Sequence, residues 1–118
     1  MLVIDDEDAV RTVCQRLVQS MGHECDIAAD ADDAIAALSE HRYDLVLCDY
    51  RLASAQADDV VEAIAAIDPW QVRQVVIATG AAGDDGVRKL AERYGLELLP
   101  KPYGAEELGQ LLGMPEAA

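Results

Sequence analysis

The sequence predicts a single α/β domain: a parallel sheet with helices covering both faces. Three observations predict it. Short apolar runs and helix-period segments alternate five times along 118 residues, and a repeated strand–helix order makes a parallel sheet. Several of the strand runs are almost wholly apolar instead of apolar at every second residue, as in strands covered on both sides. The connections between segments are short. The length suits one domain with a proper core, and a composition of 52% hydrophobic and 27% charged residues reads as globular and soluble. With no Phe and one Trp, that core must be built from Val, Ile, Leu and Ala.

Each element has its own signal. "LVI" (2–4) is the first apolar run. Residues 7–21 carry Ala9, Val10, Val13, Cys14, Leu17 and Met21 at helical spacing, and Gly22 stops that helix. Residues 23–29 read as a second strand. Residues 30–41 open on acids, which suit a helix N-terminus, and continue Ala-rich. "DLVLCD" (44–49) is a near-continuous apolar run ending in Asp49. Residues 57–67 read as a helix closed by Asp68-Pro69, with Trp70 as an edge-packing residue. "QVVIAT" (74–79) is the fourth strand, and 80–86 a Gly-rich loop without the Lys-Ser/Thr of a P-loop. A helix over 85–95 with a Gly stop, a strand over 96–101 and a last helix over 104–112 complete the pattern.

The formal net charge of −14 argues against direct binding to nucleic-acid phosphates or anionic lipid. There is no signal peptide and no apolar run of membrane-spanning length. Cys14, Cys25 and Cys48 are odd in number, widely spaced and without a CxxC pair, so they read as reduced, buried thiols of a cytoplasmic protein. His23 and His41 fit no catalytic or metal pattern and read as surface or strand-end residues.

The chemistry gathers where strands end. In an open parallel sheet, function sits beyond the carboxyl ends of the strands. The first strand runs into four consecutive acids, Asp5, Asp6, Glu7 and Asp8. The third ends in Asp49, the fourth in Thr79 followed by Gly80, and the fifth in Lys101 followed by Pro102. A strand order of 2-1-3-4-5 would make strands 1 and 3 neighbours and crowd Asp5, Asp6 and Asp49 into one site, with Thr79 and Lys101 at its rim. Two carboxylates ~4 Å apart repel by ~4 kcal/mol at the effective dielectric near a protein surface, so something must offset the cluster. Three carboxylates suit a hard divalent cation, and Mg²⁺ favours a phosphate as co-ligand. Asp49 would then be a nucleophile able to accept a phosphoryl group, with Lys101 and backbone N–H groups stabilising the transferring charge and Gly80 leaving room for it. Glu7 and Asp8 would open the first helix. Taken singly, the acids would read as helix caps, Thr79 as a strand-end hydroxyl and Lys101 as a surface lysine; the set in register favours chemistry.

Four segments, "LVIDDE", "DLVLCDYRL", "VVIATG" and "LLPKPY", resemble in order and interval the signature segments of response-regulator receiver domains, the CheY-like family. The resemblance covers essentially the whole chain and implies a flavodoxin-like (βα)5 doubly wound sheet of order 2-1-3-4-5. It implies a receiver domain over 1–113, with 114–118 as tail or start of a linker. Residue by residue, it implies Asp49 as phosphoacceptor, and Mg²⁺ held by Asp6, Asp49 and the backbone carbonyl of Arg51, with Asp5 acting through metal-bound water. Thr79 would bind the phosphoryl group and move on activation, Lys101 would pair with the phosphate, and the Lys101–Pro102 bond would be cis. The partners implied are a histidine kinase or histidine phosphotransfer domain, with no direct nucleic-acid contact and no membrane insertion. A homodimer through the face of the fourth helix, fifth strand and fifth helix of the (βα)5 pattern is open to such a domain.

The sequence also departs from the family pattern. After Asp49 it reads "DYRLASAQADD", with Ala53 where many receivers carry Pro and without the usual acid-Gly turn; "DYRL" itself resembles receivers of hybrid sensor histidine kinases. Leu98 stands where many members carry a Tyr or Phe that swings with the Thr. The resemblance places Arg51 and Ala81 at variable positions that the family uses to tune acyl-phosphate lifetime. Beyond autophosphorylation and autodephosphorylation no enzyme activity of the isolated domain is expected. Rival readings are a pseudo-receiver used only for protein binding and an aspartate-nucleophile phosphohydrolase, which would want an Asp where Arg51 stands.

Overall fold

The computed structural model describes residues 1–52, 55–80 and 85–113. Ala53, Ala81 and the 114–118 segment therefore lie outside the described residues, as does most of the Gly-rich loop. Five strands form one parallel sheet: β1 (Leu2–Ile4), β2 (Asp26–Ala28), β3 (Val46–Asp49), β4 (Val75–Thr79) and β5 (Glu97–Pro100). Their order is β2-β1-β3-β4-β5. The helices are α1 (Asp8–Ser20), α2 (Ala31–Glu40), α3 (Ala57–Ile67), α4 (Pro69–Val72), α5 (Asp85–Tyr94) and α6 (Ala105–Leu111).

The apolar runs are continuous because the sheet is covered on both sides. Alternate residues of one strand enter opposite cores. Leu2, Ile4, Val46, Cys48, Val75 and Ile77 join Ala34, Val60, Val61, Ile64, Val87 and Leu90 from α2, α3 and α5. Val3, Leu47, Val76, Ala78 and Leu99 face the other way and meet Cys14, Val18 and Leu108 of α1 and α6. Each fully buried Leu, Ile or Val contributes ~1.5–3 kcal/mol of transfer free energy, so both faces hold the strand ends rigidly.

Several expectations are corrected in detail. The strand expected over 23–29 shortens to β2, an edge strand on which Asp26 and Ile27 are exposed; with one neighbour only, its flanks have no ladder to join. On α1, Ala9 and Val13 face solvent while Val18, absent from the expected stripe, is buried. The helix leans on the sheet through Cys14 and Val18, which turns Val13 away. The helix expected to end at Asp68-Pro69 is followed by the extra turn α4: Pro69 needs no N–H partner at a first helical position, and the Asp68 carboxylate accepts the Trp70 N–H at 3.1 Å. Trp70 is partly exposed, with the Arg42 guanidinium 4.9 Å over its ring. Gly22 and Gly95 follow α1 and α5 with φ of 87° and 69°, the left-handed geometry in which glycine carries no Cβ penalty. Cys14, Cys25 and Cys48 are free and buried.

Candidate active site

The strand order brings the ends of β1 and β3 side by side, with Ile4 paired to Cys48. Asp5 and Asp49 follow directly and both are buried. Asp6, one residue farther on, is exposed. One oxygen from each of Asp5, Asp6 and Asp49 lies within 4.8 Å of the others. At that spacing each ionised pair repels by ~3 kcal/mol at an effective dielectric of ~20.

Among the described residues, one ammonium faces this cluster, from just past the end of β5. Lys101 Nζ lies 3.1 Å from Asp49 Oδ1 and 3.9 Å from Asp5 Oδ2. The Lys101 backbone N–H donates to the Thr79 carbonyl at 2.9 Å, which fixes where the side chain departs. The Lys101–Pro102 peptide bond is cis. Burial, helped by the Asp5 charge, raises the Asp49 pKa against the hydrogen bond and charge of Lys101 and the Arg51 backbone N–H, which pull it down. Burial opposes the Lys101 ammonium, but its hydrogen bond to Asp49 and the charges of Asp49, Asp5 and Glu7 outweigh that and raise its pKa.

Asp6, Glu7, Asp49, Tyr50, Arg51, Thr79, Gly80 and Lys101 line one open cleft. A Cβ built on Gly80 would meet no atom within 4 Å, so space is open there. Arg51 forms an isolated bridge with Gln56. The bonds that make it run from the N–H groups of Leu52 and Ala57 to the carbonyls of Ala55 and Tyr50, leaving the Arg51 carbonyl uncommitted to the bridge. Leu98 is not brought to the cleft; it sits on β5 beside Ile77, half-buried against the core under α5.

The donor set fits a hard divalent cation: three carboxylates in mutual reach, all oxygen ligands, and one residual ammonium that could bind an anionic co-ligand. Sequence reasoning missed three groups around this cleft. Tyr50 lines it. Tyr103 lies beside the lysine strand end with its hydroxyl 3.3 Å from Cys14 Sγ. Arg11 donates to the Asp5 backbone carbonyl. Tyr50 directly follows Asp49 and Tyr103 stands two residues after Lys101, so adjacency to the site residues could have found both; Arg11 reads locally as an ordinary helix residue, and only its contact with Asp5 identifies it.

The model of the response regulator receiver domain matches residues 1–112. The chain belongs to that family. It is similar to the transcriptional regulatory protein ZraR of Salmonella typhimurium, 29% identical over 112 residues, covering 95% of this chain and 25% of that protein. It is also similar to the DNA-binding transcriptional regulator NtrC of Azospirillum brasilense, 31% identical over 108 residues, covering 92% and 22%. The chain thus spans about a quarter of the length of these curated relatives. Among solved structures, the receiver domain of the sensor histidine kinase PA1611 of Pseudomonas aeruginosa superposes with a TM-score of 0.80 at 26% identity, covering 94% of this chain and 91% of that one. That receiver has a magnesium ion coordinated in its active site cleft. Receivers of both transcriptional regulators and a sensor kinase are therefore similar to this chain, and the likeness to hybrid kinases carried by "DYRL" has only modest support. No helix among the described residues is long and apolar enough to cross a membrane.

Proposed function

We propose that this receiver is the phosphoacceptor module of a two-component phosphorelay, with Asp49 taking a phosphoryl group from a phosphohistidine on a histidine kinase or phosphotransfer domain. The observation that carries the reading is the meeting of Asp49 with Lys101 at 3.1 Å inside a three-carboxylate cluster. An Asp49 carboxylate oxygen attacks phosphorus and the P–N bond to the donor imidazole breaks. The electron pair of that bond becomes the lone pair of the ring nitrogen that carried phosphorus, and the proton on the ring's other nitrogen lets the imidazole leave neutral. The product is an acyl phosphate on Asp49.

Asp6, Asp49 and the Arg51 carbonyl would hold Mg²⁺, with Asp5 bonding through its water. When bound, the ion would neutralise the charge gathered on carboxylates and phosphoryl oxygens. Lys101, released from Asp49 as the carboxylate becomes an acyl group, would pair with a phosphoryl oxygen. The Thr79 hydroxyl would bind another, and Gly80 keeps the approach open. Hydrolysis of the acyl phosphate would return the domain to its resting state. Between these events partners would read a shifted conformational population.

The donor's surface is suggested by a groove beside the cleft, lined by Ala9, Val10, Val13, Leu17 and Tyr103. Glu7 and Lys101 belong to both groove and cleft, so a protein presenting an imidazole to Asp49 would cover this patch. Val13, 56% exposed, is the large apolar residue of this groove most open to solvent. The deciding experiment incubates the protein with Mg²⁺ and acetyl phosphate and records intact mass beside Asp49→Asn. The expected result is one phosphoryl group on wild type, lost with EDTA and absent from the variant. No adduct and no Mg²⁺ binding would leave a pseudo-receiver that acts only through protein contacts.

A further inference from the structure

Arg11 stands out in a chain of net charge −14. Its side chain is 12% exposed, whereas the Asp8 side chain with which it pairs is 91% exposed. An arginine that far from water needs partners for its guanidinium. One nitrogen donates to the Asp5 backbone carbonyl at 2.6 Å, and the other pairs with the Asp8 carboxylate one helical turn back. The Asp5 N–H belongs to the sheet, donating to Ala28 at 3.1 Å, but Asp5 lies just past the last paired residue of β1. The guanidinium thus takes over where the sheet stops.

The turn that Arg11 grips carries the acids of the cation site. Glu7 is the N-cap of α1 yet supplies no side-chain capping bond. The turn is held instead by the Glu7 N–H donating to Asp5 Oδ1 at 2.9 Å and by Arg11 drawing Asp5 and Asp8 together. Asp6 lies between those two clamped residues. We infer that Arg11 is a positioning residue for the cation site, presetting the Asp5–Asp8 turn so that the Asp5 and Asp6 carboxylates converge on Asp49 before any ion arrives. The inference rests on the Mg²⁺ site proposed above.

Two effects of Arg11 on Mg²⁺ have opposite signs, which makes the inference testable. As a nearby cation it repels the ion. As a donor that fixes the turn it favours binding, and outer residues of this kind typically change metal affinity ~10–100-fold. The test titrates Mg²⁺ into wild type, Arg11→Met and Arg11→Lys, following backbone amide shifts. It also measures hydrogen exchange of the Glu7 amide without metal. The expected result is about 10-fold weaker binding and faster Glu7 exchange in Arg11→Met, with Val18 exchange unchanged as the sign of an intact helix. Arg11→Lys, which keeps the charge but loses the planar fork, should fall between the two and serves alone if the Met variant does not fold. Equal or tighter binding by Arg11→Met, or an Arg11→Lys indistinguishable from wild type in both readouts, overturns the positioning role while leaving the site. A wild type that binds no Mg²⁺ overturns the site and this inference together.

Discussion

The two ends of the sheet both bury polar side chains, and they do so in opposite ways. At the amino end, Gln71 is 2% exposed, and its amide is matched at both atoms. Its Oε1 accepts the Tyr43 N–H at 2.8 Å and its Nε2 donates to the Tyr43 carbonyl at 2.8 Å. At the carboxyl end, Asp5 and Asp49 are similarly buried, but they share the ammonium of Lys101 while the Asp6 carboxylate crowds the same cluster. A satisfied buried amide contributes to stability. Buried carboxylates in excess of their cations cost stability and gain only from a ligand that is absent until function calls for it. The amino end is built to hold the fold; the carboxyl end leaves clustered charge that, on the function proposed above, an ion and a phosphoryl group would complete.

The largest effect that would break this contrast comes from Asp49→Asn. Phosphorylation should vanish in the mass assay, while the metal-free variant should melt higher than wild type, since a buried repelling charge is gone. A lower melting temperature would mean that the carboxyl end is structural after all. Next comes Lys101→Met. Loss of the cation that pairs with Asp49 should slow phosphorylation from acetyl phosphate by about 10²-fold, the scale of losing a preorganised charge-stabilising donor, and should lower metal-free stability because Asp49 is left buried without its partner.

The complementary change is Gln71→Leu, which strands the Tyr43 N–H and carbonyl. It should cost ~2–4 kcal/mol by urea denaturation, the desolvation penalty of two backbone groups, with phosphorylation unchanged at temperatures where the variant is folded. Val13→Asp is a smaller and more selective test. It should reduce transfer from a phosphohistidine-bearing protein several-fold and leave acetyl phosphate reactivity alone; equal effects on both donors would remove the groove from the partner's footprint.

The smallest effect is a pH dependence. Burial raises the Asp49 pKa above its ordinary value, so between the two values the folded state holds more protons than the unfolded one. Stability from this group is then highest below its unfolded pKa and falls as pH rises through the folded value. Denaturation of metal-free wild type and Asp49→Asn between pH 3 and 7 should therefore show a growing deficit in wild type as pH rises. Parallel curves would mean that Asp49 ionises in the fold as freely as in the unfolded chain.

Much of this was legible in the residues. Continuous runs such as "LVI" and "DLVLCD" can be read as doubly covered strands without coordinates, because hydrophobic pattern reports burial directly. The candidate site was legible because Asp5, Asp6, Asp49, Thr79 and Lys101 each stand at or just past the carboxyl end of a predicted strand. Val13 and Val18 were less legible, since helical spacing defines a stripe but not which edge of it meets the sheet. The α4 turn was missed because Asp68-Pro69 is equally a helix stop and a helix start.

By itself, then, the sequence determined the alternation of strands and helices, the ends of the strands where acids collect and, through its signature segments, the receiver family. Those are properties of local composition and period. Tertiary structure alone decided that Lys101 lies 3.1 Å from Asp49, that Gln71 satisfies the backbone of Tyr43, and that Arg11 reaches back to Asp5. Each of these contacts depends on how separate elements are set against one another, and no local pattern encodes such a distance.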